Sequence, residues 1–542
     1  MLGKNYGEKN PAVRGSEAAG PEQRRGHIDR VESIPFFSLC QLFFQKKFIP
    51  HLYIHLDRSF HPLENDVPEA HPSPCGRGPF VTLRTRKTAI GRLLTRCGVD
   101  AFEGPAHTLF SIALALLPRS GNSIRSMERQ STMNTYVTHL ESALDGTTFP
   151  AGQVYTVHQG RPLWVRYDLP ALRRAITPDT FAVRPPTLWR YRELLPLPFD
   201  TEPVTLGEGM TPLLPCPRLG QALGLRRLFI KDESQLPTGS FKSRGMTLAV
   251  SMAKHLGLRR LAIPTAGNAG GALAAYGARA GVEVFVFMPQ DTPIINQIEA
   301  HLAGARVFLV NGLITDCGRI VREGTAKLDW FDVSTLKEPY RLEGKKTMGL
   351  ELAEQTEYRL PDVILYPTGG GTGLIGMWKA FAELRALDWL RSERLPRLIS
   401  CQSDGCAPIM RAFDKGERFA EMFPDAHTIA SGLRVPAAVG DFMMLDAIRA
   451  SNGCAIAGKE GRILEWVRRG MSLEGISICP ETAVCLDCLE SLIAAGKVDA
   501  NEEVVVFNTG AVQKYPEIVA LDLPRIDKEK PIDYERLGEP TA

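Results

Sequence analysis

The stretch Lys231-Asp-Glu-Ser-Gln-Leu-Pro-Thr-Gly-Ser-Phe-Lys242-Ser-Arg-Gly245 decides the reading of this chain. A short apolar run, Leu228-Phe-Ile230, leads into it, and a helical pattern from Met246 to Leu256 leads out. Lys242 therefore stands where a Pro-Thr-Gly-Ser turn hands over to a helix, with Ser240 placed to cap that helix. The positive end of the helix dipole disfavours an ammonium there and lowers the lysine pKa. Such a lysine suits attack on a carbonyl. Taken alone it would read as a surface lysine; its neighbours make it a functional one.

The same strand–turn–helix unit recurs outward from this point. Leu261-Ala-Ile263 leads into Pro264-Thr265-Ala-Gly-Asn268-Ala-Gly-Gly271 and a helical pattern from Ala272 to Ala280. Asn268 can aim its amide at a ring substituent, or serve only the turn. Val363-Ile-Leu-Tyr366 leads into Pro-Thr-Gly369-Gly370-Gly371-Thr372-Gly373 and a helical pattern from Leu374 to Leu384. Glycines there let backbone N–H groups close on a phosphate at a helix N-terminus. No Gly-Lys-Ser/Thr follows, so the loop is not one for a nucleoside triphosphate. Val504-Val-Val-Phe507 ends in Asn508-Thr509-Gly510, where the Thr509 hydroxyl can meet a neutral heterocycle nitrogen. A lysine, a phosphate loop, a ring-facing amide and a ring-nitrogen partner together describe a pyridoxal 5′-phosphate site.

The 542 residues are 44% hydrophobic and 23% charged, which excludes collagen-like, wholly disordered and disulfide-miniprotein classes. The net charge of +3 is uneven. Residues 1–132 hold 18 basic and 12 acidic side chains, against 46 and 49 in the rest. The body thus lacks a nucleic-acid-binding signature. Most of the eleven cysteines stand singly in apolar runs and read as buried thiols of a reducing compartment. The pair Cys485-Leu-Asp-Cys488 lies on a helical pattern with no second pair at metal spacing, so no metal site is expected. No apolar run reaches the roughly 20 residues that span a bilayer, and no secretory signal precedes the body. A cytoplasmic enzyme without membrane or nucleic-acid partners is the expectation.

Residues 1–132 lack persistent periodicity and read as a disordered or artefactual extension upstream of Met133. Residues 133–200 read as a cysteine-free, ribbon-like segment and connector, with Pro162-Leu-Trp-Val-Arg-Tyr167 as one strand. Residues 201–520 alternate short apolar runs with helical patterns, which predicts an α/β fold with buried parallel strands. A large domain is expected over 201–242 and 350–520, a smaller one over about 243–349, and a charged tail over 521–542.

Residues of about 201–515 resemble the fold-type II pyridoxal-phosphate enzymes, and most closely the threonine synthases. Pro237-Thr-Gly-Ser-Phe-Lys242-Ser-Arg-Gly245 is similar to that family's Schiff-base motif, and Gly207-Glu-Gly-Met-Thr-Pro-Leu213 to its early signature. Thr265-Ala-Gly-Asn268 is similar to its Thr-Gly-Asn turn, whose asparagine meets the cofactor's ring hydroxyl. Arg341-Leu-Glu-Gly-Lys-Lys-Thr347 is similar to a stretch whose arginine helps hold the substrate. Gly369–Gly373 matches the phosphate loop, and Thr509 the hydroxyl beneath the pyridine nitrogen. The resemblance implies two open, twisted, mostly parallel sheets flanked by helices, like those of tryptophan synthase β, here with an added N-terminal extension.

It also implies pyridoxal 5′-phosphate as cofactor, held as a Schiff base on Lys242. The implied reaction converts O-phospho-L-homoserine and water to L-threonine and phosphate by γ-elimination and β-addition, in a homodimer. Arg341, Thr265 and Ser240 would border the substrate. Three departures bear on the substrate: Ala269 replaces a threonine, Thr335-Leu336 an Asn-Ser pair, and Ala511-Val512 a Ser-Gly or His-Gly. Residues 135–168 resemble the N-terminal piece of these synthases, without the paired cysteines that hold zinc in some of them. A threonine/serine dehydratase and a non-catalytic binding protein of the same fold are the alternatives.

Overall fold

The apolar runs pair into parallel sheets because both of their faces find a core. In Val363–Pro367 the side chains of Ile364 and Tyr366 enter one hydrophobic cluster, and those of Val363 and Leu365 another. Val505 and Phe507 join the first cluster, Val504 and Val506 the second. All eight are 2% exposed or less. Burial on both faces favours parallel strands under crossover helices. Each fully buried side chain of this size contributes about 1.5–3 kcal/mol.

A computed structural model describes residues 134–538; the extension expected over 1–132 lies outside the described residues. Three sheets form. The first is antiparallel, in the order β2-β1-β3, from β1 Val137–Ser142, β2 Thr148–Pro150 and β3 Leu163–Tyr167. It packs Leu140, Leu163 and Val165 against Leu248 and Met252 of the helix that begins at Lys242. The second has six strands in the order β12-β11-β10-β13-β5-β4. These are β4 Leu213–Pro215, β5 Arg227–Asp232, β10 Val363–Pro367, β11 Arg397–Ser403, β12 Cys454–Gly458 and β13 Glu503–Asn508. All its pairings are parallel except β4 with β5. The third is parallel, in the order β8-β7-β6-β9, from β6 Arg260–Pro264, β7 Glu283–Pro289, β8 Arg306–Val310 and β9 Phe331–Asp332. The expected α/β class with two open, mostly parallel sheets is the class the chain adopts.

Six helices frame the region between the motifs: α1 Lys242–His255, α2 Asn268–Ala280, α3 Ile314–Leu328, α4 Tyr340–Gln355, α5 Thr372–Ala386 and α6 Pro480–Ala494. Helices α1, α2 and α5 each start earlier than their apolar periodicity predicts, at Lys242, Asn268 and Thr372 rather than Met246, Ala272 and Leu374. Their first turns are polar or glycine-rich and carry no hydrophobic repeat to announce them. Helices α1 and α4 cross in near contact: a Cβ on Gly344 would stand 1.9 Å from the Arg244 carbonyl oxygen.

Buried charges tie this crossing to the strands. The Arg244 guanidinium donates to Glu233 at 2.6 Å and to Glu351 at 2.9 Å, and Lys231 donates to Glu351 at 2.5 Å. Glu351 also accepts the backbone N–H groups of Met210 and Thr211. Glu208 accepts from the Tyr276 hydroxyl at 2.6 Å and the Trp189 indole at 3.1 Å. The Gly207–Leu213 signature is thus a structural clamp. Lys345 and Lys346 of the Arg341–Thr347 motif are both fully buried; Lys346 pairs with Glu343 at 2.7 Å. Among the described residues no helix is long and apolar enough to cross a membrane.

Candidate active site

Four chemistry-bearing motifs meet because each follows the carboxyl end of a parallel strand. The Lys242 segment follows β5, Asn268 follows β6, the glycine loop follows β10 and Thr509 follows β13. Crevices at such strand ends are where open α/β sheets bind ligands. A cavity of about 550 Å³ lies there, lined by Lys242, Thr265, Asn268, Gly369–Gly373 and Thr509. That volume holds a cofactor and a small substrate together.

Backbone bonds fix the lysine segment against the end of β13. Phe241 N–H donates to Thr509 O at 3.0 Å, and Ala511 N–H to Gly239 O at 3.1 Å. The Lys242 ammonium lies over the Phe241 ring, 4.2 Å from its centroid, and among the described residues has no carboxylate partner at bonding distance. Its side chain is half-buried by area because it faces the cavity, yet the surrounding protein still strips it of much hydration. That desolvation, aided by the Arg341 charge and opposed by Glu481, brings its pKa down to about 8. The sequence argument expected this direction from the helix dipole; burial is the larger cause. Lys345 stands over the other reach of the Phe241 ring at 4.0 Å and is itself pushed well below the ordinary lysine range by burial and by Lys242.

The loop Gly369–Gly373 opens α5 with no side-chain cap, so the first backbone N–H groups of the helix remain available. Gly371 has φ +70°, and a Cβ there would meet Met444 Sδ at 1.9 Å; a Cβ on Gly369 would meet Gly432 O at 2.2 Å. Only glycine lets the chain run so close to these walls. Helices α1, α2 and α6 also begin without side-chain caps. An anionic group is stabilised at such helix ends.

Asn268 Nδ2 donates to the Tyr515 hydroxyl at 3.2 Å, while its Oδ1 is buried without a partner. The Tyr515 hydroxyl donates to Glu481 Oε1 at 2.8 Å, which also accepts Gly432 N–H at 2.9 Å. Thr509 Oγ1 has only the Cys479 thiol nearby, at 3.7 Å. A lysine without an ion pair, a glycine cradle at a helix N-terminus, an orphaned amide oxygen and a nearly free hydroxyl fit pyridoxal 5′-phosphate.

The other expected substrate residues are placed less simply. Thr265 lines the cavity, with its hydroxyl bound to the Gly267 backbone. Ser240 does not cap α1: Phe241 is the N-cap, and the Ser240 Oγ is buried without a partner. Its backbone is extended and bridged to Gly510. Arg341 is not part of the cavity wall. Its guanidinium donates to Val333 O at 2.6 Å, and it acts on Lys242 through its charge. Nor does it pair with Glu343, which is held by Lys346, Lys379 and Tyr167.

Residues 204–510, more than half of the chain, match the pattern of the pyridoxal-phosphate dependent enzymes. The chain belongs to this family. Its cofactor is pyridoxal 5′-phosphate, and Lys242, the cradle and Thr509 all fall within the matched span. Threonine synthase of Methanosarcina acetivorans is 34% identical over 356 residues, covering 66% of this chain and 86% of that protein. Threonine synthase of Methanocaldococcus jannaschii is 32% identical over 374 residues, covering 69% and 92%. Among solved structures, diaminopropionate ammonia lyase from Escherichia coli is similar in fold, with a TM-score of 0.50 at 19% identity over 58% of this chain and 88% of that one.

Sequence reasoning missed Glu481 and Tyr515, the carboxylate and phenol behind Asn268. Glu481 follows Pro480 in the first turn of α6, a pattern that signals only a helix start. Tyr515 carries no local signal. It also missed Arg322, Lys337 and Arg434, which line the cavity from segments the motifs do not include.

Proposed function

We propose that this protein is a threonine synthase, converting O-phospho-L-homoserine and water to L-threonine and phosphate. The observation that carries the reading is a lysine of lowered basicity facing a glycine cradle, in a chain 34% identical to a threonine synthase over most of that relative's length. When bound, pyridoxal 5′-phosphate supplies an electron sink for charge developing beside the substrate's amine. Lys242 would hold it covalently, and the cradle with the N-terminus of α5 would take its phosphate. Asn268 Oδ1 and Nδ2 would orient at the ring substituent, and the Thr509 hydroxyl at the ring nitrogen. A neutral hydroxyl there, rather than a carboxylate, suits elimination and replacement over transamination.

The chain's own groups then handle protons. Lys242 Nζ, neutral above a pH of about 8, can accept a proton from the substrate's α-carbon and return one later. Among the described residues no carboxylate lies within ion-pair distance of the amine, so it is not locked in an ion pair. Glu481, fixed by Tyr515 and Gly432, leaves a single anion among the residues that line the cavity.

The test is to add O-phospho-L-homoserine and, separately, L-threonine to purified holoenzyme. Threonine and phosphate should appear from the first, and Lys242→Ala should abolish both the turnover and the visible cofactor band. Formation of 2-oxobutyrate from threonine without phosphate release would replace this reading with a dehydratase. Absence of a cofactor band with cofactor supplied would leave a binding protein.

A further inference from the structure

Three side chains from separate segments form one chain of hydrogen bonds on the cavity wall. Asn268 opens α2 after the third sheet, Glu481 lies in the first turn of α6, and Tyr515 follows β13 of the second sheet. All three line the cavity, yet Tyr515 and Glu481 are only 3% and 4% exposed. The Tyr515 phenol stands between the other two, 2.8 Å from Glu481 Oε1 and 3.2 Å from Asn268 Nδ2. The backbone of Gly432 fixes the far end. Its N–H donates to the same Oε1 at 2.9 Å, and its carbonyl oxygen is the wall that a Cβ on Gly369 of the cradle would meet at 2.2 Å.

Donor and acceptor chemistry gives these bonds a direction. A carboxylate only accepts, and a phenol has one proton to give. The Tyr515 proton therefore goes to Glu481. Burial and the Glu481 charge push the phenol well above its ordinary range, so it keeps that proton. The phenol oxygen is then left to accept from Asn268, which ties down Nδ2, the donor end of the amide. Asn268 Oδ1 is buried and, among the described residues, without a partner. An amide anchored in this way offers a ring substituent an acceptor and withholds its donor.

We propose that Tyr515 and Glu481 are positioning residues: they set the orientation of the Asn268 amide, so that Oδ1 accepts from the cofactor's ring hydroxyl and keeps that hydroxyl protonated. This rests on Asn268 facing the ring, as proposed above, and holds whichever substrate is turned over. An amide released from Tyr515 can turn its N–H to the ring oxygen instead. Hydrogen bonding to a charged form favours it, so release shifts the ring oxygen towards its ionised form. The two settings differ by one hydrogen bond, about twofold to tenfold in the balance of the two forms.

The experiment records absorbance spectra of holoenzyme at one fixed pH for the wild type, Tyr515→Phe, Asn268→Ala and the double variant. Each apo-protein is also titrated with pyridoxal 5′-phosphate. The cofactor absorbs at longer wavelength with its ring oxygen ionised than with it protonated. Tyr515→Phe keeps the ring and removes only the acceptor for Nδ2. It should raise the ratio of the long- to the short-wavelength band about twofold to tenfold. In the Asn268→Ala background the same substitution should leave the ratio unchanged, because its effect runs through the amide. A Tyr515 that merely packs the wall would act alike in both backgrounds. Glu481→Leu keeps the test sharp if Tyr515→Phe fails to fold. It frees the phenol proton to turn to Asn268 Oδ1, so its shift should shrink when Asn268 is also alanine. An unchanged ratio in Tyr515→Phe, or an equal change with and without Asn268, would overturn the proposal. If Asn268→Ala alters neither the band ratio nor the cofactor affinity, it is the placement of Asn268 at the ring that fails, and the positioning role falls with it.

Discussion

Replacing Gly371 by alanine tests the cradle, and the chain contains its own control. Gly371 and Gly416 have nearly the same backbone, φ +70° and φ +73°. An alanine at either pays for a left-handed conformation, about 1–2 kcal/mol. At Gly416 nothing lies within 4 Å of the added Cβ. At Gly371 it would stand 1.9 Å from Met444 Sδ and 2.5 Å from its Cγ, and Met444 is fully buried. Moving a buried methionine in a packed core adds about 1–3 kcal/mol. Gly371→Ala should therefore cost about 2–5 kcal/mol, and Gly416→Ala only the backbone share. Urea denaturation of the two apo-proteins reads the difference directly. Titration with pyridoxal 5′-phosphate reads the second consequence. Displacing the start of α5 removes at least one N–H bond to an anion, so affinity should fall about tenfold to a hundredfold in Gly371→Ala and stay unchanged in Gly416→Ala. If the two variants are equally stable and bind the cofactor alike, the loop is not a close-fitting cradle.

Three further outcomes follow from the charges and the helix crossing. Amine modification of Lys242 in apo-protein, followed by peptide mass analysis against pH, should show a midpoint at about 8. Arg341→Met should move the midpoint up, because a repelling cation is gone, and Glu481→Gln should move it down. Glu351→Gln breaks a buried network and should cost about 3–5 kcal/mol in urea denaturation. The Glu351 carboxyl is held below the ordinary range by Arg244 and Lys231. Its stabilisation is therefore present above a pH of about 4.5, the ordinary carboxylate value, and lost as pH falls further, so the variant's deficit should shrink in acid. Gly344→Ala should lower the melting temperature more than an alanine at an open glycine, because its Cβ meets the Arg244 carbonyl at 1.9 Å.

The strands were legible because burial on both faces writes itself as runs such as Val504–Phe507. The motifs at their ends were legible because a turn before a helix needs particular residues at particular spacings. Helix starts were less so, since glycine and polar first turns have no period. What sequence could not supply was depth. Lys345 and Lys346 look like surface residues in a string, yet both are buried at the α1–α4–α5 packing. Arg341 looks like a clamp, yet its guanidinium turns to Val333 O. Tyr515 and Glu481 reach the cavity only because β13 and α6 pack side by side, a fact no local pattern carries.

The matched motifs divide into two kinds, and the division decides what each can establish. Glu208, Thr211, Arg244, Glu343 and Lys346 are buried in ion pairs and hydrogen bonds that hold strands to helices. Their presence argues for the fold and leaves the reaction open. Lys242, Asn268, the cradle and Thr509 line the cavity and argue for the cofactor. The departures fall differently again. Ala511 and Val512 lie outside the cavity lining, so their change need not touch the substrate. Ala269 and Thr335 lie on it. Thr335 belongs to the same strained turn that carries Lys337 and presses on Gly370. The substrate question therefore lies with the cavity residues outside the cofactor motifs. Lys242, which every reading of this fold shares, cannot decide it.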